Sequence, residues 1–166
     1  MSSTNETEIT AKFWKSLRSE MTVMLGLIGK DDGHSQPMTA LIEKDNDRGP
    51  LWIFTVKDVH LVQAMAGHSS AAAAQFVSKG HDLFASVQGH VSLANDPVMV
   101  DRLWNRFIAA WYPGGKEDPS LQLLRFDLTH AHIWLNENSL LAGLKIVLGS
   151  DPKKDYEGKV VDMVLP

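Results

Sequence analysis

The segment Leu51-Trp52-Ile53-Phe54-Thr55-Val56-Lys57-Asp58-Val59-His60 brings a hydroxyl, an amine and an imidazole close together. Its β-branched and aromatic residues predict a strand through Val56, and Asp58 is a capping residue for a helix that follows. A strand end feeding a helix start sets Thr55, Lys57 and His60 beside free backbone amides, a combination able to hold a phosphate. The same residues also describe a plain capped helix with a surface lysine. A second stretch, Leu103-Trp104 through Trp111-Tyr112-Pro113-Gly114-Gly115, is rich in aromatics. Trp111 and Tyr112 end a helix beside a turn, where they are hard to bury and could line a flat ligand or a partner subunit. About half of the aromatics in this stretch suit a core.

Other chemistries find less support. The seven histidines are His34, His60, His68, His81, His90, His130 and His132. His130 and His132 alternate along a strand and share a face. No third ligand has convincing spacing, so they read as solvent-facing side chains and no metal site is assigned. With no cysteine there is no disulfide, zinc ribbon, iron–sulfur cluster or thiol nucleophile. Gly114-Gly115-Lys116 lacks the spacing and the preceding strand of a phosphate-binding loop, and no nucleophile elbow occurs. Acidic pairs such as Asp31-Asp32 fall in turns. No catalytic acid or base is assigned.

The elements that must position these residues follow from periodicity. The 166 residues suit one domain over 9–166, behind a mobile tail at 1–8. Ile9, Phe13, Trp14 and Leu17 mark one face of a helix. Met21 to Ile28, Pro37 to Glu43 and Leu51 to Val56 predict three strands, separated by turns at Lys30-Asp31-Asp32-Gly33 and Asp45 to Pro50. Asp58 caps a short helix reaching Gly67. Ala71 to Val77 has helical propensity, yet it lacks a polar face and precedes a turn, so a strand is expected. Leu83 to Leu93 reads as one strand with a bulge at Gly89. A helix opens at Asp96-Pro97 and runs to about Ala110, with Val100, Leu103, Trp104, Phe107 and Ile108 inward. Leu121 to Leu128 and Ala131 to Leu135 predict two strands, and Ser139 to Leu148 a last helix. The fold class is mainly β (α+β): a six-stranded antiparallel barrel, closed or split, with short flanking helices.

Net charge is −4, with 8 basic and 10 acidic residues in each half, so neither half is a basic nucleic-acid module. No apolar run approaches the ~20 residues of a membrane span, and the start lacks the pattern of a secretion signal. A cytoplasmic protein is expected.

In this order of fragments the chain resembles the general stress protein subgroup of the pyridoxamine 5′-phosphate oxidase-like, FMN-binding split-barrel family. The resemblance runs from about Phe13 to Val164. It rests most on Leu103-Trp104 through Lys116, then Asp118-Pro119 and Leu121 to Arg125. Pro37-Met38, Leu51 to Thr55, Gly89, His132-Ile133-Trp134 and Glu157 to Val160 fall in the same order. The resemblance implies a six-stranded split barrel that forms a homodimer, with the flavin nucleotide FMN in clefts at the interface. Pro37, Met38 and Thr39 would border the isoalloxazine ring, and Phe54 and Thr55 would lie near the ribityl phosphate. Lys57, His60 and Trp111 complete the expected cofactor contacts. The family places serine and a basic pair where this chain has Val59-His60-Leu61, and often arginine where it has Gln36. Residues specific to pyridoxamine phosphate have no counterpart. The function implied is that of a flavin-binding stress-response-type protein, with weak flavin-dependent oxidoreductase activity as its enzymatic form. The alternative is a non-catalytic binding or interaction protein on the same scaffold, with flavin binding lost or weakened.

Overall fold

Strand signals and turn signals alternate from Met21 onward, and the chain pairs most of these strands with sequence neighbours. A computed structural model describes residues 3–44, 48–136 and 159–165. Helix α1 spans Ser3–Glu20. Strands β1 (Thr22–Leu27), β2 (Ser35–Leu41) and β3 (Leu51–Val56) form an antiparallel meander. Helix α2 (His60–Met65) leads to β4 (Ser70–Val77) and β5 (Leu83–Ala94). Helices α3 (Pro97–Leu103) and α4 (Arg106–Ala109) precede β6 (Leu121–Leu135), and β7 (Val160–Val164) pairs with the distal half of β6. The order is β3-β2-β1-β4-β5-β6, with β3 pairing back to β6. Six antiparallel strands therefore close into a barrel, and β7 is an added seventh.

The alanine run is a strand because both of its edges are taken. Ala72 to Gln75 pair with β1, and the whole of β4 pairs with β5. Ala72, Ala74 and Phe76 point into the core, so tertiary pairing overrides the helical propensity of alanine. Gly89 sits where the β5–β6 register shifts. Leu128 faces Gly89 and His130 faces Gln88, which leaves Thr129 as the extra residue of the bulge. That bulge joins the two expected strands at 121–135 into one.

Three other expectations change. Residues 3–8 belong to α1 rather than to a tail, since α1 begins at Ser3. The N-cap of α2 is Val59, not Asp58, and no side chain caps it. The helix expected over 97–110 is broken at Trp104-Asn105, because Asn105 Oδ1 accepts the Phe107 and Ile108 amides at 2.9 and 3.1 Å and starts a new helix. The expected helix over 139–148 lies outside the described residues, as do 45–47 of the second turn.

Two cores result. Ile9, Phe13 and Leu17 of α1 join the barrel interior, with Phe13 edge-on to Phe76 at 6.3 Å. A smaller cluster of Trp52, Met99, Val100 and Leu123 packs α3 against the outside of β3 and β6. The turn between β4 and β5 is tied to α1. Ser78 Oγ donates to Asp82 at 2.5 Å, and Lys12 Nζ lies 2.7 Å from the other carboxylate oxygen.

The Lys12 hydrogen bond first, then that of Ser78, hold the Asp82 carboxyl below its ordinary value of 3.8, against an opposing effect of burial. A lowered acid adds stability that is present above the unfolded-state value and lost as pH falls through the folded-state value. Both side chains are over two-fifths exposed. Lys12→Ala is therefore expected to cost only about 0.5 kcal/mol at neutral pH. The difference should shrink as pH falls through the folded-state value of Asp82 and disappear once the carboxyl is protonated in both states. Urea melts of the parent and the variant across an acid pH series check this.

Candidate functional site

Pairing of β2 with β3 sets Pro37, Met38 and Thr39 beside Phe54, Thr55 and Val56. Helix α4 and the residues after it bring Phe107, Ile108, Trp111 and Tyr112 across from them. Between these walls lies a cavity of about 360 Å³. Its lining is apolar or hydroxylic and carries no formal charge among the described residues. Thr55 is only 8% exposed and contributes to the wall of the cavity.

Tyr112 fastens the far wall to the near one. Its phenol donates to the Thr55 carbonyl at 2.8 Å, and its ring packs with Phe54 and Trp104 at centroid distances of 6.5 and 6.0 Å. Burial, and secondarily the charge of Asp118, push the phenol up to about 12. Tyr112 thus stays a neutral donor across the physiological range. The loop that follows is closed by Asp118, whose carboxylate accepts the Gly114 amide at 2.8 Å and the Ser120 hydroxyl and amide at 2.7 and 2.9 Å. These bonds, those from Ser120 foremost, hold the Asp118 carboxyl below its usual range.

Six of the eight residues singled out in the sequence line this one cavity: Pro37, Met38, Thr39, Phe54, Thr55 and Trp111. Lys57 and His60 do not. Lys57 lines an adjoining hollow of about 720 Å³ together with Asp96, Asp101, Lys116, Glu117 and Asp118. His60 Nδ1 contacts the carboxylate of Asp31 in the β1–β2 turn. Leu61, where the family places a basic residue, is 1% exposed and belongs to the barrel core. Tyr112, expected to be hard to bury, is buried, whereas Trp111 is 81% exposed. Phe107, expected inside, is exposed and lines the cavity with Ile108. The signal for this was Asn105, a capping residue inside an otherwise continuous helical pattern.

His130 and His132 both face Asp162 of β7, and the His132 ring stacks on Trp134 at 4.4 Å. Among the described residues no three His, Asp or Glu side chains are arranged to hold a metal. No helix among them is long and apolar enough to cross a membrane.

Comparison with known proteins places this geometry. The profile of the family described as pyridoxamine 5′-phosphate oxidase like matches residues 8–157. The chain belongs to that family. Among solved structures, a general stress family protein of Xanthomonas campestris pv. campestris is 54% identical, with 90% of this chain and 100% of that one covered and a TM-score of 0.76. The general stress FMN/FAD binding protein of Xanthomonas citri is 58% identical over 86% of this chain and 99% of that one, with a TM-score of 0.75. General stress protein 26 of Jannaschia sp. CCS1 is 25% identical over 96% of this chain and 99% of that one, with a TM-score of 0.78. No curated protein matches the chain significantly.

Proposed function

We propose that this family member is a homodimeric flavin-binding protein of the stress-response type, taking FMN in the cavity between β2, β3 and the α4 loop. The observation that carries this is the chemistry of the lining: a neutral, aromatic-walled slot with Thr39 and Thr55 on its strand wall. Such a slot fits the face of a flat heteroaromatic ring. The Xanthomonas citri protein, described as FMN/FAD binding, supports the same reading at 58% identity.

A bound flavin supplies redox chemistry of its own. The chain's residues hold and orient the ring. Met38, Phe54 and Trp111 offer apolar surface, Thr55 offers a hydroxyl, and Tyr112 keeps Thr55 in place through its carbonyl. No titratable side chain among the described lining residues is suited to move a proton near neutral pH. Tyr112 is held as a neutral phenol. Any oxidoreductase chemistry would rest on the ring itself.

The dimer is supported by composition. None of the residues of β1, β2, β4 or β5 is Lys, Arg, Asp or Glu, although Met24 and Val77 on these strands are more than two-fifths exposed. Charge depletion over a broad exposed sheet is the mark of an interface core. A two-fold partner on that face would lie beside Pro37 and Thr39 of the cavity. The cysteine-free sequence suits a cytoplasmic location.

A specific observation favours a second reading, a binding protein on the same scaffold with weakened flavin affinity. Lys57 and His60 lie away from the cavity and Leu61 is buried, so the expected phosphate partners are not gathered there. The visible spectrum of the purified protein separates the two. Flavin absorbance, or its appearance on adding FMN, is expected. A protein that stays colourless with added FMN supports the second reading. Sedimentation at micromolar concentration is expected to give a dimer, and a monomer would count against the shared face.

A further inference from the structure

A ligand ending in phosphate needs a cation within reach, and the described residues that line the cavity include none. Lys57 lies in a hollow that also holds Lys116, itself paired with Asp101, and the carboxylates of Asp96, Glu117 and Asp118, so acidic groups outnumber basic ones around a phosphate dianion. His60 is turned toward Asp31, and Leu61 is buried.

Arg106 is placed differently. It directly precedes Phe107 and Ile108, both on the cavity wall. Its guanidinium carbon lies over the Phe107 ring, 4.9 Å from the centroid. Phe107 is 69% exposed and so forms the rim rather than the floor. The Asn105 cap fixes the backbone at this point. Among the described residues no carboxylate pairs with Arg106. By contrast, Arg102 meets Glu43 at 2.6 Å and Lys116 is paired with Asp101. Stacking on an aromatic face restrains a guanidinium while leaving its forked edge free for two parallel hydrogen bonds.

We infer that Arg106 is the specificity-determining residue for the phosphate end of a flavin nucleotide held in this cavity. The inference rests on the flavin reading above. It moves phosphate recognition from the α2 start to the rim formed by α4.

The test is a set of titrations with FMN and with riboflavin, followed by flavin fluorescence at fixed ionic strength. The proteins are the parent, Arg106→Gln, Arg106→Lys and Lys57→Gln. The parent is expected to prefer FMN by about tenfold or more, the range of a charge-assisted pair. Arg106→Gln should bring that preference close to unity while riboflavin affinity and melting temperature stay unchanged. Arg106→Lys should keep part of it, since lysine retains the charge and loses the fork. Lys57→Gln should leave it intact. A preference that survives Arg106→Gln, disappears in Lys57→Gln, or is absent from the parent overturns the role of Arg106 and leaves the flavin reading standing. A parent that binds neither flavin overturns both.

Discussion

Gly89→Ala is expected to cost the barrel about 3–5 kcal/mol, a large part of the stability of a domain this size. A Cβ at that position would sit 2.0 Å from the Asp127 carbonyl oxygen and 3.0 Å from Leu128 Cα. The obstacle is backbone, so no side-chain rotation relieves it. Only separation of β5 from β6 would, and those two strands share the longest ladder of the sheet, including the bulge itself. Gly80→Ala is the control. Its added Cβ would meet only Asp82 side-chain atoms, at 3.5 and 3.8 Å, so its effect should stay within about 0.5 kcal/mol. Denaturant midpoints of the two variants measure the contrast. An alanine at position 89 tolerated within about 1 kcal/mol would mean that the β5–β6 ladder slides to a new register at little cost.

Trp111→Ala should lower flavin affinity by about ten- to a hundredfold, with little change in melting temperature. Base-on-aromatic stacking is worth about 1–3 kcal/mol by alanine substitution, and an isoalloxazine presents a larger face than a base. Trp111 is 81% exposed and joins neither core cluster, so the fold does not depend on its ring. Tyr112, its neighbour, is the opposite case. Tyr112→Ala would remove a buried ring that packs on Phe54 and Trp104, along with the hydrogen bond to Thr55, and should cost about 3–5 kcal/mol of stability. Thermal melts and flavin titrations of the two variants should therefore separate cleanly. Unchanged flavin affinity in Trp111→Ala would remove that side chain from the site.

Much of the barrel was legible in the order of residues. The β4 alanines carry no polar face and run into Ser78-Lys79-Gly80-His81, which left a strand as the consistent choice, and the ladders to β1 and β5 agree. Gly89 stood out as a glycine inside a long strand, and it lies at the register shift, although the extra residue is Thr129 on the facing strand. The break at Asn105 was legible in principle, through the capping power of asparagine, but the apolar period continued across it and dominated.

By itself the sequence determined which segments are strands, where most turns fall and the family, because these depend on residues a few positions apart and on the alternation of apolar side chains. It also singled out Pro37, Thr55 and Trp111, which the structure places on the wall of one cavity. The tertiary structure alone decided where the cations go. Helix α2 has six residues, too few to be stable without packing, so the barrel sets its rotation. That rotation buries Leu61 and leaves His60 against Asp31, which lies 29 positions earlier in the chain. The same long-range closure of β3 on β6 leaves Lys57 facing an acidic hollow and brings α4 over β3, so that Arg106, a residue no local pattern distinguishes, lies beside the wall of the cavity.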